Sequence, residues 1–367
     1  MKKIFGNQDR RQFLSLSSMA LGATVLAKPF NLLHAAEDTA LAKEEADSGA
    51  GKYGSNIILS QKAEAGKRGI PMFNTMDLSI PEFSSVLIGR MPPPGPMIGH
   101  EIHEKHDGEK EYLIHLGNDA DDPMDLGADV ELYLGRSKWR EKHTFNKATS
   151  VYLPCGLWHC PWHVRNIRRA VSFVNIRVKY DLPAEPSTYK ITKLKMGGPP
   201  TQSSESLSAE ELSRAKTSGG IFGQYLLPDS VKGKEDPKGG KWLAYLDCTM
   251  IAEAPLTRVL RYRPLNEQYS IIDEQRHEYG TLFVMLGTNL NDHTDLGAEV
   301  ELSIGPEKEK HTIDKSAIVY VPPRTEHGPF VVKNARAPFN FVELVGGPEM
   351  PGAFYGPGGA KVDSYSV

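Results

Sequence analysis

The 367-residue chain repeats itself, and no other feature constrains its fold as tightly. Asp125-Leu126-Gly127-Ala128-Asp129-Val130-Glu131-Leu132-Tyr133-Leu134-Gly135 returns as Asp295-Leu296-Gly297-Ala298-Glu299-Val300-Glu301-Leu302-Ser303-Ile304-Gly305, with eight of eleven positions identical at an offset of 170. Glu141-Lys142-His143-Thr144 returns as Glu309-Lys310-His311-Thr312 and Val151-Tyr152-Leu153-Pro154 as Val319-Tyr320-Val321-Pro322, both at 168. Upstream, Tyr53-Gly54 corresponds to Phe222-Gly223 at 169. One nearly constant offset, held over so long a span, marks a tandem duplication. The copies run over residues 52–178 and 221–346, so whatever one copy folds into, the chain holds twice.

Each copy reads as short strands. Tyr112-Leu-Ile-His-Leu116 and Leu282-Phe-Val-Met-Leu286 are apolar runs closed by Gly117 and Gly287. Val130–Leu134 and Val300–Ile304 alternate apolar with mostly polar residues, the period of a half-buried strand. The 34 Gly and 26 Pro residues supply turns between them. Strands this dense without intervening helices imply an all-β fold with an antiparallel barrel or sandwich in each copy. Between the copies, Ser208 followed by Glu210 and Glu211 has the N-cap and acidic first turn of a short helix, over 208–216. The expected organisation is a targeting segment at 1–42, a first barrel at 43–182 and a linker with that helix at 183–219. A second barrel at 220–346 and a Gly/Pro-rich tail at 347–367 complete it.

With 43 basic against 46 acidic residues the net charge is −3, which removes the basic footprint of a nucleic-acid binder. Three cysteines are too few for a disulfide scaffold. Residues 1–42 have a basic start and an apolar stretch from Phe13 to Ala27, shorter than the ~20 residues of a permanent membrane span. Cleavage sites lie after Ala42 or Ala35. Arg10-Arg11-Gln12-Phe13-Leu14 resembles the R-R-x-F-L core of twin-arginine signals. That resemblance implies passage of a folded protein through the twin-arginine machinery to the periplasm or another extracytoplasmic space.

Pro154-Cys155-Gly156-Leu157-Trp158-His159 has the form P-x-G-x-x-H, and Pro322-Pro323-Arg324-Thr325-Glu326-His327 stands at the equivalent place. Upstream in copy one lies a stretch rich in His and Glu, with His100, His103, Glu104, His106 and Glu111. Together these stretches resemble the two motifs of the cupin superfamily. The match is close around His159 and looser upstream, where His103 and His106 stand three apart instead of two. The resemblance covers both copies and implies two tandem jelly-roll barrels, a bicupin. It further implies that His106, Glu111 and His159, with His103 as the fourth, hold one divalent transition metal. Imidazoles with a carboxylate suit manganese, iron, nickel or zinc better than calcium. Residues three apart on a regular strand face opposite sides, so His103 needs a bulge to turn inward. Without one, Glu104 or His100 has the right parity.

In copy two Thr281 stands where Glu111 stands, leaving His277 and His327, with Gln275 before them and Glu278 the nearest acid. The expectation is a structural or regulatory second barrel, with His277 and His327 as a possible second site. Cys155 and Cys160 read as small thiols beside the first site, not as a zinc pair. Asp119, Asp121, Asp122 and Asp125 read as a solvated loop. The cupin resemblance implies dioxygenase, decarboxylase or isomerase chemistry on a small molecule. The alternative is a non-catalytic protein that binds a small ligand or metal.

Overall fold

The computed structural model describes residues 51–61, 70–73, 78–93, 98–179, 192–193, 202–217, 220–228, 240–265, 267–348, 354–355 and 361–362. The targeting segment, most of the linker and most of the tail lie outside these residues. The described part is almost entirely antiparallel β-structure arranged as two barrels, each made of two facing sheets.

In the first barrel one sheet runs in the order Thr149–Leu153, Glu109–Leu116, Val171–Lys179, Phe83–Met91. The facing sheet runs Gln202–Ser206, Ile102–His106, His159–Arg165, Asp125–Leu134, Glu141–Lys147. The second barrel repeats the scheme. Ala317–Val321, Thr281–Gly287, Phe339–Val345, Thr257–Tyr262 and Gly240–Leu246 form one sheet. Tyr269–Ile272, His327–Lys333, Asp295–Ile304 and Glu309–Lys315 form the other. In the linker the helix covers Ala209–Ser213, shorter than the sequence suggests. Ser208 caps it, with Oγ accepting from Glu211 N–H at 3.2 Å while Glu211 accepts from Ser208 N–H at 2.8 Å. No helix among the described residues is long and apolar enough to cross a membrane.

The apolar runs show no alternation because their strands are buried on both faces. In Glu109–Leu116 the odd positions Glu111 and Leu113 point into the first barrel, and the even positions Tyr112 and Ile114 point out of it. The outward set meets Leu282, Val284, Val342 and Leu344 of the second barrel in one buried cluster between the two. Each fully buried side chain of this size contributes about 1.5–3 kcal/mol. That layer positions both barrels on a shared apolar wall.

The barrels also trade their leading strands. Ile57–Leu59 of the first copy pairs with Ala317–Val321 of the second, while Leu226–Pro228 of the second pairs with Thr149–Leu153 of the first. The repeated Glu-Lys-His-Thr element clamps these arms. Glu309 accepts from Lys52 N–H and Tyr53 N–H at 2.8 and 3.0 Å, and Glu141 accepts from Phe222 N–H at 3.1 Å. His311 and His143 back the two carboxylates at 2.9 and 3.1 Å. Gly135 and Gly305, at φ +81° and +82°, let the arm aromatics lie flat. A Cβ there would come within 2.3 Å of the Phe222 ring and 2.5 Å of the Tyr53 ring. Two buried arginines complete the reciprocity: Arg90 donates to the carbonyls of Gly287 and Asn289, and Arg261 to those of Gly117 and Asp119.

Candidate metal centre in the first barrel

Three strands bring four side chains to one point inside the first barrel. Ile102–His106 carries Glu104 and His106, two apart and therefore on one face. Glu109–Leu116 carries Glu111, and His159 opens the strand that follows the Pro/Gly turn. Glu111 Oε2 lies 3.3 Å from His106 Nε2 and 3.1 Å from His159 Nε2. Glu104 Oε1 lies 3.7 Å from His159 Nε2 and 4.0 Å from His106 Nε2. All four are buried. The ligand atoms of Glu104, His106 and His159 fall within 4.8 Å of one another.

His103 does not join them. Its strand pairs with Gln202–Ser206 residue for residue from Ile102 to His106, so no bulge reverses its parity. The ring faces the other side of the sheet, with Nδ1 2.5 Å from the Cys160 carbonyl and a stack on Trp158 at 4.9 Å between centroids. Its Nε2 lies 3.6 Å from Glu205. Glu104 takes the inward place, and His100 stands behind it with Nε2 3.2 Å from Glu104 Oε1.

The surrounding groups orient the four. His159 Nδ1 lies 3.0 Å from the Leu157 carbonyl; donating there leaves the Nε2 lone pair facing inward. Glu111 Oε1 accepts from Asn175 at 2.6 Å and from Arg177 Nε at 3.4 Å, which leaves Oε2 for the centre. Nε2 of His106, Nε2 of His159 and Oε2 of Glu111 are fully buried and aligned in no hydrogen bond. Both nitrogens face the Glu111 oxygen at 3.1–3.3 Å, a spacing that a cation would close by displacing the imidazole proton.

Electrostatics agrees. Burial pushes Glu111 up, but Arg177 and the two histidines outweigh it and hold the carboxyl well below its usual range. Glu104 is likewise pushed up by burial and brought down to about 2 by His100 and His159. Burial lowers His159, yet Glu111 and Glu104 raise it to about 10. With His159 held as an imidazolium between the two carboxylates, a divalent cation would take the place of that proton between Glu104, Glu111 and Nε2. Cys160 lies near His100 and Glu104, but burial and the neighbouring carboxylates push its thiol well above the usual range. A neutral thiol is a poor ligand. Cys155 accepts from Gly108 N–H at 3.0 Å on the exposed side of the turn.

The second barrel fills the same positions differently. His159 pairs with Glu104, and His327 pairs with Gln275. Gly156 N–H donates to the His106 carbonyl, and Arg324 N–H to that of His277. Thr281 stands at the register position of Glu111. Glu278 does not swing in; it pairs with Arg324 at 2.8 Å on the surface. A carboxylate is nonetheless present. Glu343, at the register position of Asn175, lies 3.3 Å from His277 Nε2 and 3.0 Å from Gln275 Nε2. The sequence does carry a signal for it, one charged residue inside the otherwise apolar run Phe341-Val342-Glu343-Leu344-Val345.

No family model and no curated protein matches the chain. Among solved structures, oxalate decarboxylase from Bacillus subtilis at pH 4.6 is similar with a TM-score of 0.48 and 11% identity, over 94% of this chain and 88% of that one. The formate complex of Lactobacillus farciminis oxalate decarboxylase is similar with a TM-score of 0.48 and 9% identity, over 87% of this chain and 90% of that one.

Proposed function

We propose that the first barrel holds one divalent transition metal and that the protein is a metal-dependent enzyme acting on a small molecule. The observation that carries this reading is the convergence of Glu104, His106, Glu111 and His159, all buried and with their ligand atoms turned to one point. Two imidazoles with two carboxylates are a mixed nitrogen–oxygen set, suited to manganese or iron(II) more than to calcium. Such a metal supplies Lewis acidity to a carbonyl or carboxylate oxygen of the substrate. The chain's own groups hold the site ready. Asn175 and Arg177 fix the Glu111 carboxylate, the Leu157 carbonyl fixes the His159 tautomer, and His100 fixes Glu104. Pre-set ligands of this kind bind without reorganising the barrel.

Elemental analysis of the purified full-length protein should give one divalent metal per chain, and a panel of small carboxylates and carbonyl compounds should include one that is turned over. Protein that takes up no divalent metal when loaded would sink the reading. Metal with ligand binding but no turnover would favour the non-catalytic alternative instead.

We further propose export in the folded state, on the strength of Arg10-Arg11 before a weakly apolar run, residues outside those described structurally. Changing both arginines to lysine should leave uncleaved precursor in the cytoplasm. Unchanged export of that variant would remove the twin-arginine reading.

A further inference from the structure

The two barrels place the same backbone around two different charge arrangements. In the first, Glu104 and Glu111 both reach His159 Nε2, at 3.7 and 3.1 Å, and Arg177 pairs with Glu111. In the second, Glu343 Oε2 pairs with Arg258 at 3.1 Å, one carboxylate to one guanidinium. The register position of Glu104 is held by Gln275, which differs from a glutamate only by an amide NH2 in place of one oxygen.

That NH2 is well placed. Glu343 Oε1 can only accept, so the nitrogen of the amide, not its oxygen, must face it, at 3.0 Å. The same nitrogen lies 3.3 Å from His327 Nε2. His327 Nδ1 lies 2.9 Å from the Thr325 carbonyl and donates to it, so Nε2 carries a lone pair and accepts. Burial, with His277 beside it, lowers His327 to about 3, which keeps the ring neutral and accepting. His277, His327, Glu343 and Gln275 are all buried.

We propose that Gln275 sets the two barrels apart in metal binding: its amide nitrogen satisfies both the His327 lone pair and the Glu343 carboxylate and keeps the second barrel metal-free, whereas a ligand with a free lone pair at that one position admits a divalent cation. A protonated amide nitrogen offers no lone pair to a metal, and no charge remains in this cluster for a cation to offset. Of the other three groups, Glu343 lies 3.3 Å from His277 and shares the Gln275 amide nitrogen with His327. A carboxylate at position 275 would recreate the donor set of the first barrel, two carboxylates and two imidazoles. The second barrel's metal-binding capacity is thus held back by one side chain. The proposal rests on the reading of Glu104 as a metal ligand, and its test separates the two.

Full-length protein is stripped with chelator, reloaded with manganese(II) alone, desalted and assayed for metal per chain. Gln275→Glu should gain one equivalent over the parent, whatever the parent holds, and adding His327→Ala should remove that gain. Gln275→His, which supplies a lone pair without a second buried carboxylate, should gain an equivalent as well and guards against a folding failure of the first variant. In the otherwise unchanged chain, His327→Ala should leave the metal count as it was. No gain in either position-275 variant with circular dichroism unchanged, or metal lost from the parent on His327→Ala, overturns the proposal. The first-barrel reading stands or falls separately, on whether Glu104→Gln removes the metal of the parent.

Discussion

His103 and Glu104 are neighbours with opposite fates, and the alternation of a strand decides between them. Glu104 shares the inward face with His106, while His103 packs on Trp158 behind the sheet. Glu104→Gln and Glu111→Gln should each weaken manganese binding tenfold or more, at least about 1.4 kcal/mol. His103→Ala should leave the affinity within about twofold, although loss of its buried contacts lowers stability by about 1–3 kcal/mol. Calorimetric titration with manganese(II) beside thermal unfolding separates the two effects. If His103→Ala abolishes binding while staying folded, the centre includes the far face of the sheet and this ligand set is wrong. The likeness to the cupin motifs is what put His106, Glu111 and His159 together in advance, and the three side chains do meet. For the fourth place, likeness to an H-x-H pattern favoured His103, while strand parity offered Glu104 or His100, and without a bulge it is Glu104 that faces inward.

At the scale of the element, much was legible and two things were not. The apolar runs, the turn glycines and the repeated blocks all fall on strands and their ends, because period-two burial and turn chemistry are local properties. The capped helix was legible for the same reason. Glu343 was missed because its partners lie far away in the chain. It meets His277 and Gln275 only once Phe339–Val345 has paired beside Thr281–Gly287. The exchange of leading strands was also hidden. The match of Tyr53-Gly54 to Phe222-Gly223 shows that the arms are equivalent, but an edge strand satisfies its backbone equally well on either barrel. Glu141 and Glu309 decide it, each accepting from backbone N–H groups of an arm that comes from the other copy.

The whole molecule is a pair of barrels locked together by burial, by the traded arms and by buried polar groups that cross between them, and one of those groups should be visible in its pH dependence. Glu82, in the turn before Phe83–Met91, reaches into the second barrel, where the missing side chain of Gly280 makes room for its carboxyl. Burial drives it up to about 7 from 4.5, against the pull of the Gly280 N–H and Lys179. The folded chain therefore keeps a proton that the unfolded chain gives up as pH rises through 4.5. The favourable contribution is present in full below about pH 4.5, is lost as pH climbs towards about 7, and stays lost above. Glu82→Gln removes the titration and keeps an oxygen to accept from Gly280. At pH 8 the variant should be more stable than the parent by up to about 3 kcal/mol, with the difference closing below about pH 4.5. Paired urea unfolding curves from pH 4 to pH 8 measure this directly. A difference that stays flat with pH would mean that Glu82 enters the interface already ionised. The two barrels would then be joined there by a paired charge, and stability at high pH would fall, not rise, on its removal.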